Sequence, residues 1–167
     1  GPEMKSTGES MGLDHDFPLA YAKAQLGAGT QLPLHGKVFI SVKDTDKDAM
    51  LSLAKDLADL GFALIATRGT CDYLASHGIK AEAINKVREG QPHIVDKMKD
   101  GEIDLVINTT EGAAAIADSF SIRRTALLDK IVYSTTMPGA ESVVKAIRAM
   151  RAREEGLAVK PLQAYFG

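Results

Sequence analysis

Thr67 and Thr70 stand three residues apart in the stretch Ala66 to Thr70, directly after the apolar run Phe62 to Thr67 and at the start of a helical pattern. A strand that stops at small, hydroxylated residues and then opens a helix leaves unpaired backbone N–H groups at the positive end of the helix dipole. The two threonines add hydroxyl donors, and Gly69 lets a ligand approach the backbone closely. The chemistry this favours is capture of a phosphate. The plain alternative makes Thr70 a helix N-cap and Thr67 a β-branched strand end. Lys47 falls in the first turn of another helix, where a cation opposes the dipole; such local conflicts gather at functional sites. Asn108, Thr109 and Thr110 repeat the amide and hydroxyl chemistry at the end of a further apolar run, with simple capping as the competing reading. Lys86 follows a third run directly. Lys47 and Lys86 each also read as solvated surface lysines.

These residues need strand ends to hold them side by side. Lys37 to Val42 is a near-continuous apolar run, as in a parallel strand covered on both faces. Met50, Leu53, Ala54, Leu57 and Leu60 then recur at helical spacing up to Gly61. Phe62 to Thr67 is the second strand, Thr70 to Gly78 a short helix, and Ala81 to Asn85 the third strand. A polar loop leads to Pro92 at the start of the next helix. Asp104 to Thr110 is the fourth strand. A helical stretch follows from Glu111 to Lys130, broken near Ser119 to Ser121. Ile131 to Thr136 is the fifth strand, Gly139 to Gly156 the last helix, and the tail from Leu157 packs back on the body. The fold class is α/β: an open five-stranded parallel sheet flanked by helices. Ligands of such sheets bind outside the carboxyl ends of the strands, near a topological switch point.

Residues 1–36 differ in character from the rest. They read as the tail of a preceding domain, with one short helix from Asp16 to Gly27, plus a breaker-rich linker; the body then spans 37–167. Gly1-Pro2 reads as a cleavage scar, which makes the chain an excised piece of a larger protein. With a net charge of −2 over 167 residues, there is no general drive toward nucleic acid or a membrane. Phosphate affinity must come from local donors. The single cysteine, Cys71, excludes an internal disulfide and suits a reducing cytosol. Four scattered histidines lack metal-ligand spacing, so no metal site is expected. There is no G-x-G-x-x-G, Walker sequence or nucleophile elbow. Asp118 and His93, the titratable residues near the rim, read as structural, and Arg123-Arg124 as a solvated helix face. Tyr133 and Thr135 share one face of the fifth strand by period two.

Glu3 to Glu9, Ala22 to Gly27, Ala66 to Thr70, the run from Ile84 to Thr110 and Ser121 to Leu127 together resemble the carboxyl-terminal end of the carbamoyl-phosphate synthetase large subunit. Residues 3–27 resemble the last segment of its second synthetase, or ATP-grasp, domain. Residues 37–160 resemble its allosteric domain, whose methylglyoxal-synthase-like fold is shared with methylglyoxal synthase and the purine-pathway cyclohydrolase. The resemblance implies a cytoplasmic regulatory domain without catalytic residues, with UMP as inhibitor and IMP as activator in one overlapping pocket. Lys47, Thr67, Thr70, Lys86, Asn108 and Thr110 fall where that family holds the nucleotide, with Ser41, Val87, Thr109, Asp118 and Ile122 nearby. Tyr133 and Thr135 match positions that contact ornithine in enterobacterial relatives.

The resemblance implies no cofactor in this chain; ATP, magnesium and potassium would serve the rest of an ATP-dependent ligase of pyrimidine and arginine biosynthesis. Its partners would be the remainder of the large subunit, the small glutaminase subunit and a further copy in a homo-oligomer, with no nucleic acid and no membrane. Two other classes compete. One is a methylglyoxal synthase-type lyase, although the glycine-rich loop of that family is replaced here by Arg88 to Pro92, leaving Asp72 as the residue nearest the family's base. The other is a structural oligomerisation module, since the domain also contributes to subunit association in the family.

Overall fold

The structure, a computed structural model, describes residues 31–156. The expected helix Asp16–Gly27 and the tail from Leu157 lie outside the described residues. Five strands, β1 (Lys37–Ser41), β2 (Ala63–Ala66), β3 (Glu82–Ala83), β4 (Leu105–Asn108) and β5 (Val132–Ser134), form one parallel sheet in the order β3-β2-β1-β4-β5. Helices α1 (Lys47–Asp59), α2 (Arg68–Ser76), α3 (Ile94–Lys99), α4 (Ala113–Leu128) and α5 (Met137–Glu154) make the connections, with short 3-10 turns at Asp44–Asp46 and Val87–Glu89. The expected fold class is the observed one.

β1 lies at the centre because it is apolar on both faces. Val38 and Ile40 pack with α1 and α5, and Phe39 packs on the opposite side with residues of α3 and α4. Register pairs Ile40 with Ala66 and Ser41 with Asn108, so the carboxyl ends of β2, β1 and β4 stand abreast. The chain winds from β1 outward through β2 to β3, then returns to β4 on the other side. That reversal puts the switch point between β1 and β4, where a crevice must open.

Several boundaries move from their expected places. α2 begins at Arg68 with Thr67 as its N-cap, not at Thr70. The third strand shrinks to Glu82–Ala83, and a single bridge from Asn85 to His93 replaces the rest. α3 starts at Ile94, after a cis Gln91–Pro92 peptide, because His93 caps it and its backbone N–H donates to Asp96. β5 stops at Ser134, so Thr135 lies past the strand and is exposed, and α5 begins at Met137 with Thr136 accepting from the Gly139 N–H.

α4 runs unbroken through Ser119 to Ser121. The Ser119 hydroxyl oxygen accepts an N–H from Asn108, so this side chain turns toward β4 rather than ending the helix. This helix is apolar on both sides. Ile122 and Ala126 face the core, while Ile116, Phe120, Leu127 and Leu128 are 59 to 74% exposed.

Leu32, placed in the linker by its surroundings in the sequence, is 9% exposed and packs in the α1/α5 core cluster. The packed body therefore begins before Lys37. Gly36 closes this entry: its φ is +122°, and a Cβ there would overlap the Asp104 carboxylate, which accepts the Lys37 N–H at 2.9 Å.

Candidate functional site

Strand termini β1, β2 and β4, the turn after β3 and the first turns of α4 enclose a cavity of about 290 Å³. All six expected nucleotide residues line it: Lys47, Thr67, Thr70, Lys86, Asn108 and Thr110. So do the five neighbours Ser41, Val87, Thr109, Asp118 and Ile122. Tyr133 and Thr135 do not.

The floor is a group of hydroxyls. Thr67 and Thr70 are 5% and 2% exposed. Thr67 Oγ1 lies 3.4 Å from Ser41 Oγ and 3.5 Å from Thr70 Oγ1, distances at the long end for O–H···O bonds. Thr67 occupies the N-cap of α2, yet its side chain accepts no N–H from that helix. The bland reading made Thr70 the N-cap, but Thr67 holds that position and Thr70 lies inside the helix. The Thr67 hydroxyl turns instead toward Ser41 and Thr70, and the first N–H groups of α2 have no side-chain cap. Gly69, which also lines the cavity, keeps that helix end open.

Cations stand on two sides. Lys47 begins α1 after the 3-10 turn, and its Nζ lies 2.6 Å from Asp44 Oδ1. Hydrogen bonding to Lys47, helped by its charge, holds the exposed Asp44 carboxyl below its usual range. This pairing relieves the dipole conflict noted for Lys47 in the sequence. On the other side, Lys86 enters from the turn after β3, which is braced from within. The Lys86 N–H donates to Glu89, Arg68 donates to the Asn85 side-chain Oδ1, and the Asn85 side-chain Nδ2 donates to Gly90 O.

The β4 end splits into supports and free groups. Thr109 Oγ1 accepts the Lys43 N–H at 3.0 Å, so its hydroxyl ties the β1 turn to β4. Asn108 donates to Ser119 Oγ at 2.9 Å and to Tyr133 Oη at 3.2 Å, which leaves its carbonyl oxygen as the part without a protein donor among the described residues. Tyr133 thus supports a cavity residue from outside. Burial pushes its hydroxyl pKa above the usual tyrosine value, opposed by the Asn108 hydrogen bond and the charge of Arg123.

On α4, Asp118 Oδ2 is buried without a hydrogen bond and lies 3.4 Å from Arg88 Nη1. Arg88, Ser119, Lys43 and Asp44 all line the cavity and were missed in the sequence. Asp44 was legible as the i,i+3 partner of Lys47. Arg88 and Asp118 meet across two elements, and no local pattern joins them. His93 does not line the cavity. Asp72 is exposed on α2, also outside the lining. Among the described residues no group of three His, Cys, Asp or Glu side chains could hold a metal ion. No described helix is long and apolar enough to cross a membrane.

The chain is 56% identical over 167 residues to a carbamoyl phosphate synthase large chain of Myxococcus xanthus, covering 100% of this chain and 15% of that protein. It is 51% identical over 163 residues to the carbamoyl phosphate synthase large chain, C-terminal section, of Methanopyrus kandleri, covering 97% of this chain and 30% of that protein. The chain thus spans well under half the length of the curated relatives it matches. A crystal structure of methylglyoxal synthase from Elizabethkingia anophelis shares the fold, with a TM-score of 0.53 at 16% identity over 68% of this chain and 79% of that one. The profile of the MGS-like domain matches residues 49–135, just over half of the sequence and all of β2 to β5. The chain belongs to the MGS-like domain family.

Proposed function

We propose that this cavity binds the phosphate of a nucleotide effector, and that the chain is the regulatory, non-catalytic part of a carbamoyl phosphate synthase large chain. One observation carries the phosphate end: Thr67 sits at a helix N-cap and caps nothing, so two buried hydroxyls and an uncapped helix N-terminus meet beside Lys47 and Lys86. An anion there gains neutral donors, cations and the helix dipole together. Asp118, which lines the same cavity from α4, suits hydroxyl groups rather than another anion, which favours a phosphorylated nucleoside over a bare oxyanion. A volume of about 290 Å³ fits one mononucleotide. UMP and IMP are the effectors proposed, sharing the phosphate site and differing at the base.

The partner proposed is the rest of the large chain together with its small glutaminase subunit, in the cytoplasm, with ATP and its metal ions bound there. Thr135, exposed beyond β5, and Tyr133 beside it form the proposed ornithine contact at that junction. A lyase function has less support. Asp72 is outside the cavity, and the cavity's own Asp118 faces Arg88.

Thermal shift and calorimetric titration with UMP, IMP, uridine and inorganic phosphate test the reading. At 100 times the dissociation constant, UMP stabilises the folded chain by about 2.7 kcal/mol. Uridine shifts the melting temperature far less. Equal shifts from UMP and uridine would overturn the phosphate site.

A further inference from the structure

We propose that Arg88 is a specificity-determining residue of this cavity: it offsets the Asp118 charge so that an anion can enter a pocket holding a buried carboxylate. The proposal rests on the phosphate reading above and deepens it. Asp118 is the acid that matters here. Of the three acids that line the cavity, Asp44 is held by Lys47, and Glu111 is exposed to solvent, where its charge is screened. The Asp118 side chain is 16% exposed, its Oδ2 is buried without a hydrogen bond, and Arg88 is its one ion-pair partner among the described residues.

Without a counter-charge, that carboxylate would face the incoming phosphate across the pocket. A cavity of this volume is ~8 Å across, and two like charges at that distance repel enough to weaken binding by about 10-fold at an intermediate effective dielectric. Arg88 is placed to cancel this without touching the phosphate. It projects from the Val87–Glu89 turn, which the Asn85 and Glu89 hydrogen bonds hold rigid, and it meets α4 at Asp118. Lys86, two residues earlier on the same turn, lines the cavity as a separate cation. The turn thus carries two cations with different duties: Lys86 binds the anion, and Arg88 silences the acid.

The two duties separate in a double-mutant cycle read by calorimetry with inorganic phosphate and with UMP. Arg88→Met weakens phosphate and UMP by about 10-fold and leaves uridine unchanged, because uridine carries no charge to repel. Asp118→Asn tightens inorganic phosphate by a similar factor, and the Arg88→Met/Asp118→Asn double variant binds it about as the parent does, because the two charges act on the anion through space and cancel. Arg88→Lys restores most of the affinity. Arg88 is exposed, so melting temperatures of its variants stay within a few degrees of the parent and report on folding separately. A double variant that binds phosphate as weakly as Arg88→Met alone would mean that Arg88 touches the phosphate itself, and would overturn the proposal. Unchanged phosphate affinity in Arg88→Met would overturn it as well while leaving the phosphate site standing. A parent chain that binds neither phosphate nor UMP would instead remove the phosphate reading, and this proposal with it.

Discussion

The Asn108 side-chain amide donates to the hydroxyl of Tyr133 at 3.2 Å, joining a cavity residue on β4 to a residue of β5 that lies outside the cavity. The same amide donates to Ser119 on α4 at 2.9 Å. One side chain therefore fixes the spacing of two strands and a helix around the pocket. Tyr133→Phe leaves one Asn108 N–H without its acceptor and costs about 1 kcal/mol of stability. UMP affinity falls by less than about tenfold, since the loss reaches the ligand only through Asn108. Chemical denaturation and calorimetry on the variant check both numbers.

Alkaline pH acts on the same hydroxyl. Burial raises the Tyr133 pKa in the fold, so the protein favours the neutral phenol. That contribution is fully present below the unfolded value near ~10 and is lost as pH rises through the folded value. Melting curves between pH 8 and 11 show the parent losing stability more steeply than Tyr133→Phe above pH ~10. Parallel curves would mean that the phenol ionises alike in both states.

Lys86→Ala weakens UMP and IMP together, by roughly 10- to 150-fold, because both present the same phosphate to the same ammonium group. Lys86 is half-buried and anchored through its backbone, so its truncation leaves folding intact. Loss of IMP binding with UMP spared would contradict a shared phosphate site.

Gly36→Ala is the stability prediction with the least room for compensation. The position combines a left-handed φ with a Cβ that would meet the Asp104 carboxylate, which holds the Lys37 N–H. Strain and a displaced hydrogen bond together cost about 2 kcal/mol or more. Restoring space with Asp104→Ala recovers only part of it, as the Lys37 N–H then lacks its acceptor.

Dihydroxyacetone phosphate supplies the control for catalysis. The expected outcome is no methylglyoxal release from it and no change with Asp72→Asn, since Asp72 is exposed on α2 and outside the pocket lining. Steady turnover abolished by that substitution would reinstate the lyase reading.

The sequence was most readable where one residue type served one purpose. The apolar runs of β1, β2 and β4 and the small hydroxylated residues at their ends were legible, and these place the eleven expected residues around one cavity. Legibility failed where partners come from different elements. The Ser119 hydroxyl meets the Asn108 amide, and Arg88 meets Asp118, only once α4 lies against β4 and the turn after β3. Thr109 shows a third kind of limit. Its residue type suggested a ligand donor, while its hydroxyl oxygen also accepts the Lys43 N–H, a supporting duty that no local pattern announces. The outer side of α4 carries a further consequence: Phe120 is 74% exposed, so Phe120→Gln leaves the melting temperature of the monomeric chain nearly unchanged despite removing a phenyl group.

The placement of β1 between β2 and β4 also determines how a bound ligand would show itself in hydrogen exchange. Ser41, Thr67 and Asn108 stand at three strand ends and Lys86 on the turn after β3, and they converge only when the central strand is seated. No contiguous peptide of the chain contains the site, so partial openings that release β1 destroy it whole. A ligand therefore slows exchange most at the β1 amides, which open only with the entire sheet, and least at the outer turns of α5, which can fray while the site stays assembled. Occupancy of the pocket is read in the middle of the sheet.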